Sequence, residues 1–132
     1  MAYQKRSPRQ AFANHATELL SNRLYRNWKP IVQDNLGYGI QVVAQQERTL
    51  FNETMDRRRT YVLQIKPSSD YPRSPPVVTS DPTLNDPCWD SKGRLHWTRW
   101  KDGSTPWDRL RNTSCPLLYV VEELHKKYML SV

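Results

Sequence analysis

Two side chains with nucleophile and base chemistry lie close together in the second half of the chain. Cys88 and His96 are eight residues apart, with Lys92 and Arg94 between them. Positive charge of this kind lowers the pKa of a thiol, and a Cys–His pair can serve as nucleophile and base. The pattern therefore permits a reactive thiol at Cys88 with His96 as its base. An ordinary, partly exposed thiol is the alternative, while Cys115 lies beside apolar residues and is expected in the core.

The spacing of the remaining ligand-type residues does not favour a metal or cofactor site. A zinc site needs three or four ligands at close, regular spacing, but His15, His96 and His125 are spread over the chain. Cys88 and His96 together provide only two ligands. The sequence contains neither a Gly-rich phosphate loop nor a His-Glu-x-x-His motif. We therefore expect no metal and no cofactor.

Basic residues concentrate in two regions of a chain whose net charge is +7, with 20 Lys and Arg against 13 Asp and Glu. Residues 1–29 carry six basic residues against Glu18 alone, and residues 92–111 carry six against two acidic residues. Such a surplus favours an anionic partner, either nucleic acid or an acidic protein face. A solvated surface that keeps the protein soluble is the alternative.

Segment 94–101 interleaves basic and aromatic side chains, a combination that suits single-stranded nucleic acid. The same tryptophans are equally suited to packing, because Trp is usually well buried. Both interpretations stay open at this point. The candidate partner-binding residues in the two basic regions are Arg6, Arg9, Arg23, Arg26, Trp97, Arg99, Trp100 and Trp107.

The elements that must position these residues begin with an amphipathic helix. Ser7 can cap it, and Pro8 suits its first turn. We expect the helix to end before Asn27. Its apolar residues recur at helical spacing, at Phe12, Ala16, Leu19, Leu20 and Leu24. A second helix is predicted from about residue 114 to 129, with Pro116 in its first turn.

Four strands are predicted between the helices, at residues 38–44, 48–54, 60–65 and 77–79. The first three follow one another without a helix, which favours an antiparallel meander. Arg57-Arg58-Arg59 is expected at a hairpin turn, and residues 80–112 are expected to form a long loop. The order predicts an α+β fold: a four-stranded antiparallel meander with an N-terminal helix and a C-terminal central helix.

Length and composition limit the class of protein further. A chain of 132 residues corresponds to about one domain, here 1–132. No apolar run approaches the roughly 20 residues of a membrane span, and the first residues lack the apolar stretch of a signal peptide. Two cysteines are too few for a disulfide framework, so we expect a cytoplasmic setting.

Two motifs carry a resemblance to a known family. Tyr-Pro-Arg-Ser-Pro-Pro-Val-Val at residues 71–78 resembles the Tyr-Pro-x-x-Pro-Pro-x-Val that joins strands three and four of ubiquitin-conjugating enzymes. Residues 86–97 are similar in length and pattern to the active-site flap of that family. Trp100 and Pro106-Trp107 resemble the segment before its central helix. The resemblance covers residues 7–130 and implies a ubiquitin-conjugating (UBC-like) fold.

The chain departs from that family at its chemical positions. His96 matches the nucleophilic cysteine, Cys88 matches the asparagine that stabilises the oxyanion, and Asp86 matches the histidine. An imidazole cannot form the stable thioester of the family. The chain also stops shortly after the central helix. These departures resemble the ubiquitin-conjugating enzyme variants, which are inactive relatives.

The resemblance implies a non-catalytic protein-interaction module. The expected partner is a ubiquitin-like protein, an active conjugating enzyme or a subunit of a larger complex. Two alternatives stay open: a basic module that binds nucleic acid, and an atypical conjugating enzyme that uses Cys88.

Overall fold

An antiparallel sheet and two helices share one hydrophobic core in this α+β protein. The computed structural model describes residues 7–33, 37–46, 59–84, 87–97, 107–128 and 130–131. In chain order, the elements are α1 (Pro8–Leu20), a 3₁₀ turn (Arg23–Tyr25), β1 (Lys29–Gln33), β2 (Gly37–Gln46), β3 (Arg59–Lys66), β4 (Val77–Asp81), α2 (Trp107–Leu110), α3 (Pro116–Lys127) and β5 (Leu130–Ser131).

Both main helices begin where the sequence predicts. The Ser7 hydroxyl accepts a hydrogen bond from the backbone N–H of Gln10 at 3.1 Å, so it caps α1, and Pro8 follows in the first turn. Pro116 occupies the first turn of α3. Helix α1 ends at Leu20, earlier than expected, and the chain then forms the 3₁₀ turn.

The four-stranded antiparallel meander is confirmed, but its first strand differs from the prediction. The order is β1-β2-β3-β4, and the short β5 pairs with β2. Strand β1 (Lys29–Gln33) is not among the four predicted strands, and it contains Pro30, which is tolerated because β1 lies at the edge of the sheet. The predicted strand at 48–54 lies outside the described residues, as do Arg57 and Arg58, and β2 pairs directly with β3.

The side chains of β2 alternate between the two faces of the sheet. Ile40, Val42 and Ala44 are buried in the core, whereas Val43 is 61% exposed on the outer face. Helices α1 and α3 pack together and contribute to that same core. Its largest fully buried aliphatic and aromatic side chains include Phe12, Leu19, Trp28, Tyr61, Leu63, Ile65, Leu117 and Leu124.

The long loop expected at residues 80–112 contains regular structure. Residues 88–96 form a small hairpin, and residues 107–110 form α2. Within the part of the chain that the structure describes, no helix has both the length and the apolar character needed to cross a membrane.

Candidate functional site

The hairpin at residues 88–96 presents the chemically interesting side chains. Trp89 pairs with Leu95 across the hairpin, and the Asp90 N–H donates to the Arg94 carbonyl at 3.0 Å. The Asp90 carboxylate accepts the backbone N–H groups of Lys92 and Arg94 at 2.8 and 2.9 Å. These hydrogen bonds, the Arg94 N–H first, lower the pKa of Asp90. The carboxylate therefore stays ionised and holds the turn closed.

One strand of the hairpin lies along the edge of β4. The Ser80 N–H donates to the Gly93 carbonyl at 2.8 Å, and the Leu95 N–H donates to the Val78 carbonyl at 3.0 Å. Gly93 has φ +79°, a left-handed conformation that glycine adopts without a steric penalty. The hairpin thus covers the edge of the sheet with backbone hydrogen bonds.

The other contacts of the hairpin region reach the end of α3 and residues 71–76, the proline-rich segment before β4. The indole N–H of Trp89 donates to the Tyr128 hydroxyl at 2.8 Å, and both side chains are buried. The indole N–H of Trp97 donates to the Pro76 carbonyl at 2.9 Å. The hairpin is therefore fixed to β4, to the end of α3 and to the segment before β4.

Both cysteines of the chain are buried. Cys88 is 5% exposed, and the Lys127 ammonium lies 3.8 Å from its sulfur. Cys115 is 3% exposed and its thiol donates to the His15 carbonyl at 3.4 Å. Burial raises the pKa of the Cys115 thiol, which keeps it protonated. The expectation that Cys115 belongs to the core is confirmed.

His96 lies on the surface next to the turn. Its side chain is 44% exposed, and its Nε2 atom is 3.6 Å from a carboxylate oxygen of Asp90. Its backbone N–H donates to the Cys88 carbonyl at 2.7 Å, so the two residues are neighbours across the hairpin. The imidazole is thus in solvent beside Asp90, while the thiol is buried beside Lys127. Asp86 lies outside the described residues.

Trp97 and Trp107, the two tryptophans of the candidate binding set that the structure describes, pack against other parts of the protein. Trp107 is 8% exposed, and its indole N–H donates to the Pro72 carbonyl at 3.0 Å. Its ring lies 5.7 Å from the Trp97 ring and 6.0 Å from the Tyr71 ring, measured between centroids. Arg99 and Trp100 lie outside the described residues. The structure therefore places Trp97 and Trp107 against the proline-rich segment.

The basic residues at the N-terminus divide between the two ends of α1. Arg9 lies in the first turn, whereas Arg23 and Arg26 lie beyond the last turn, about 20 Å further along at 1.5 Å per residue. Arg6 lies outside the described residues. Leu24, between the two distal arginines, is 75% exposed and lies beyond the end of α1, so the prediction that it belongs to the apolar stripe of the helix is wrong.

No group of three or more His, Cys, Asp or Glu side chains in the described part of the chain is arranged to hold a metal ion. A groove of about 400 Å³ lies between the turn of the hairpin and the outer face of the sheet. Asp81 and Lys92 line it together with the neutral side chains of Gln64 and Thr79, so the groove does not select a ligand of one charge.

Comparison of the chain with protein-family models, with curated proteins and with solved structures finds no match.

Proposed function

We propose that the chain is a non-catalytic protein-interaction module, a pseudoenzyme similar to the inactive ubiquitin-conjugating enzyme variants. Its partner is a ubiquitin-like protein, an active conjugating enzyme or a subunit of a larger complex. The observation that carries the proposal is the exposure of three side chains. His96 is exposed where the resemblance puts the nucleophile, while Cys88 and Cys115 are both buried.

The burial of the thiols matters because a conjugating enzyme must present its cysteine to another protein. A thioester with a protein C-terminus requires an accessible sulfur in its thiolate form. At 5% and 3% exposure, neither sulfur meets that requirement in the folded protein. His96 is accessible, but an acyl-imidazole hydrolyses too readily to act as a carrier. This geometry supports a binding role over a transfer role.

A charging assay tests the proposal directly. The protein is incubated with ATP, ubiquitin and an activating enzyme, next to an active conjugating enzyme as the positive control. Intact-mass spectrometry should show no ubiquitin adduct on this chain. An adduct that reducing agent removes, and that disappears in Cys88→Ser but not in Cys115→Ser, would establish the atypical conjugating enzyme instead.

Thiol accessibility provides an independent measurement. Iodoacetamide should alkylate both cysteines rapidly in denaturant and slowly in the native protein, because opening must precede reaction at a buried sulfur. Rapid native alkylation of Cys88 would remove the observation on which the proposal rests.

A nucleic-acid-binding module is the second candidate, and the net charge of +7 favours it. It predicts an affinity for oligonucleotides that falls steeply with salt concentration. An absence of binding at low salt would eliminate this candidate and leave the protein-interaction proposal intact.

A further inference from the structure

The segment after α1 presents an exposed hydrophobic side chain among basic residues. We name Arg23, Leu24, Arg26 and Lys29 the turn patch. Leu24 has the largest exposed fraction, 75%, among the large hydrophobic side chains in the described part of the chain. All three cations of the patch are exposed too. A solitary exposed leucine is ordinary, but this one lies on a hydrogen-bonded turn and has exposed basic residues beside it in the chain.

The backbone of the turn patch is held by hydrogen bonds. The Asn22 side chain accepts the Leu24 N–H at 3.0 Å, and the Asn22 carbonyl accepts the Tyr25 N–H at 3.1 Å. The Tyr25 carbonyl in turn accepts the Trp28 N–H at 3.0 Å. The turn is therefore ordered before any partner binds, so binding does not carry the entropic cost of ordering a flexible loop.

Aromatic side chains fix this turn against the end of α3. Trp28 is 1% exposed, and its indole N–H donates to the Nε2 atom of His125 at 3.2 Å. The ring of Tyr25 lies 5.5 Å from the same imidazole. Tyr25 and Trp28 thus face the protein, while Leu24 between α1 and Tyr25 faces solvent.

The charge around Leu24 is predominantly positive. No acidic residue occurs between Ser21 and Gln33. Glu18 lies on the preceding turn of α1, and on α3 Glu122 is paired with Lys126 at 2.7 Å. The cations of the turn patch are therefore available to acidic groups of a partner.

We infer that the turn patch is a docking surface for an acidic protein that has an apolar pocket. Leu24 enters the pocket, and Arg23, Arg26 and Lys29 pair with carboxylates at its rim. A buried apolar anchor surrounded by a charged rim is a common arrangement in protein interfaces. The inference rests on the proposed function, because it names the surface and the partner chemistry of the same interaction module.

The composition of the patch favours a protein over the other anionic partners. Single-stranded nucleic acid requires exposed aromatic faces for stacking, but Tyr25 and Trp28 pack against His125. A membrane surface requires more apolar area than one leucine provides. A preformed apolar pocket with acidic walls matches this patch best, because it buries the leucine and pairs its carboxylates with the basic side chains.

Affinity capture with matched variants tests the inference. The wild-type protein and four variants are used to capture proteins from nuclease-treated lysate of the native host. Leu24→Ser and Arg26→Glu alter the turn patch, while Tyr119→Ser and Arg73→Glu are the controls at exposed positions elsewhere. Thermal unfolding verifies that all four variants fold. Captured proteins are identified by mass spectrometry and purified, and the affinity of each for the wild-type protein and the four variants is measured by titration. Carboxylate–lysine cross-linking then locates the contact.

The expected result is an acidic protein that cross-links through its Asp or Glu side chains to Lys29. Its affinity should fall roughly tenfold or more in Leu24→Ser and in Arg26→Glu, and stay unchanged in both controls. A captured protein that binds both turn-patch variants as tightly as wild type overturns the inference while the proposed function stands. The inference and the proposed function both fail if no protein is captured. They also fail if only a mixed-sequence oligonucleotide or a phosphatidylserine vesicle binds in parallel titrations.

Discussion

Replacing Gly93 with alanine tests whether the hairpin depends on its backbone contact with β4. Gly93 has φ +79°, and a Cβ atom there would overlap the carbonyl oxygen of Ser80. A left-handed conformation costs an L-residue about 1–2 kcal/mol. Relief of the overlap requires the loss of the hydrogen bond from the Ser80 N–H to the Gly93 carbonyl, which costs about 1 kcal/mol more. We expect Gly93→Ala to lower the free energy of unfolding by about 2–3 kcal/mol.

Urea unfolding followed by tryptophan fluorescence measures this loss. Amide hydrogen exchange shows where it acts, since the Ser80 and Leu95 amides donate across the junction and should exchange faster in Gly93→Ala. Ser91→Ala is the matched control in the same turn, where we expect a change within about 0.5 kcal/mol. An unfolding free energy equal to wild type, with unchanged exchange at both amides, would refute the docking geometry of the hairpin.

His125 and Tyr71 provide two further tests of stability. Burial lowers the pKa of His125, whose Nε2 must be unprotonated to accept the Trp28 indole N–H. The protein should therefore be most stable above the ordinary imidazole pKa of 6.5 and lose stability as the pH falls below it, as measured by urea unfolding, and His125→Gln should lack this dependence. Tyr71→Phe removes a buried hydroxyl 2.7 Å from the Nδ1 atom of His15 and should cost about 1 kcal/mol in thermal unfolding. Equal losses in Tyr71→Phe and the exposed Tyr119→Phe would contradict that assignment.

The start of each main helix could be predicted because its signals are local. Ser7 and Pro8 act within one turn of α1, and Pro116 acts within the first turn of α3. Strand β1 is not among the predicted strands, and it contains a proline, which a strand tolerates only at places such as the edge of a sheet. That position depends on pairing with β2, which the local sequence does not reveal.

The exposure of the candidate site residues could not be predicted for the same reason. Cys88 belongs to the buried core, and its sulfur lies 3.8 Å from the ammonium of Lys127, which is 39 residues later in the chain. Leu24 matched the helical period, but Asn22 offers its side chain to the backbone two residues on and favours a turn instead of another helical turn. Asn22 was thus the one local signal that could have shown the end of α1.

The tryptophans provide the protein with separate spectroscopic reporters. Each of the four tryptophans in the described part of the chain has an indole N–H whose acceptor lies in a different part of the fold, namely His125, Tyr128, the Pro76 carbonyl and the Pro72 carbonyl. Each of these indole protons should give its own resonance in a two-dimensional NMR spectrum. Solvent exchange of each signal would then measure opening at one junction: the turn on α3, the hairpin on α3, and the two contacts with the proline-rich segment. A partner that engages the turn patch should first perturb the indole signal of Trp28.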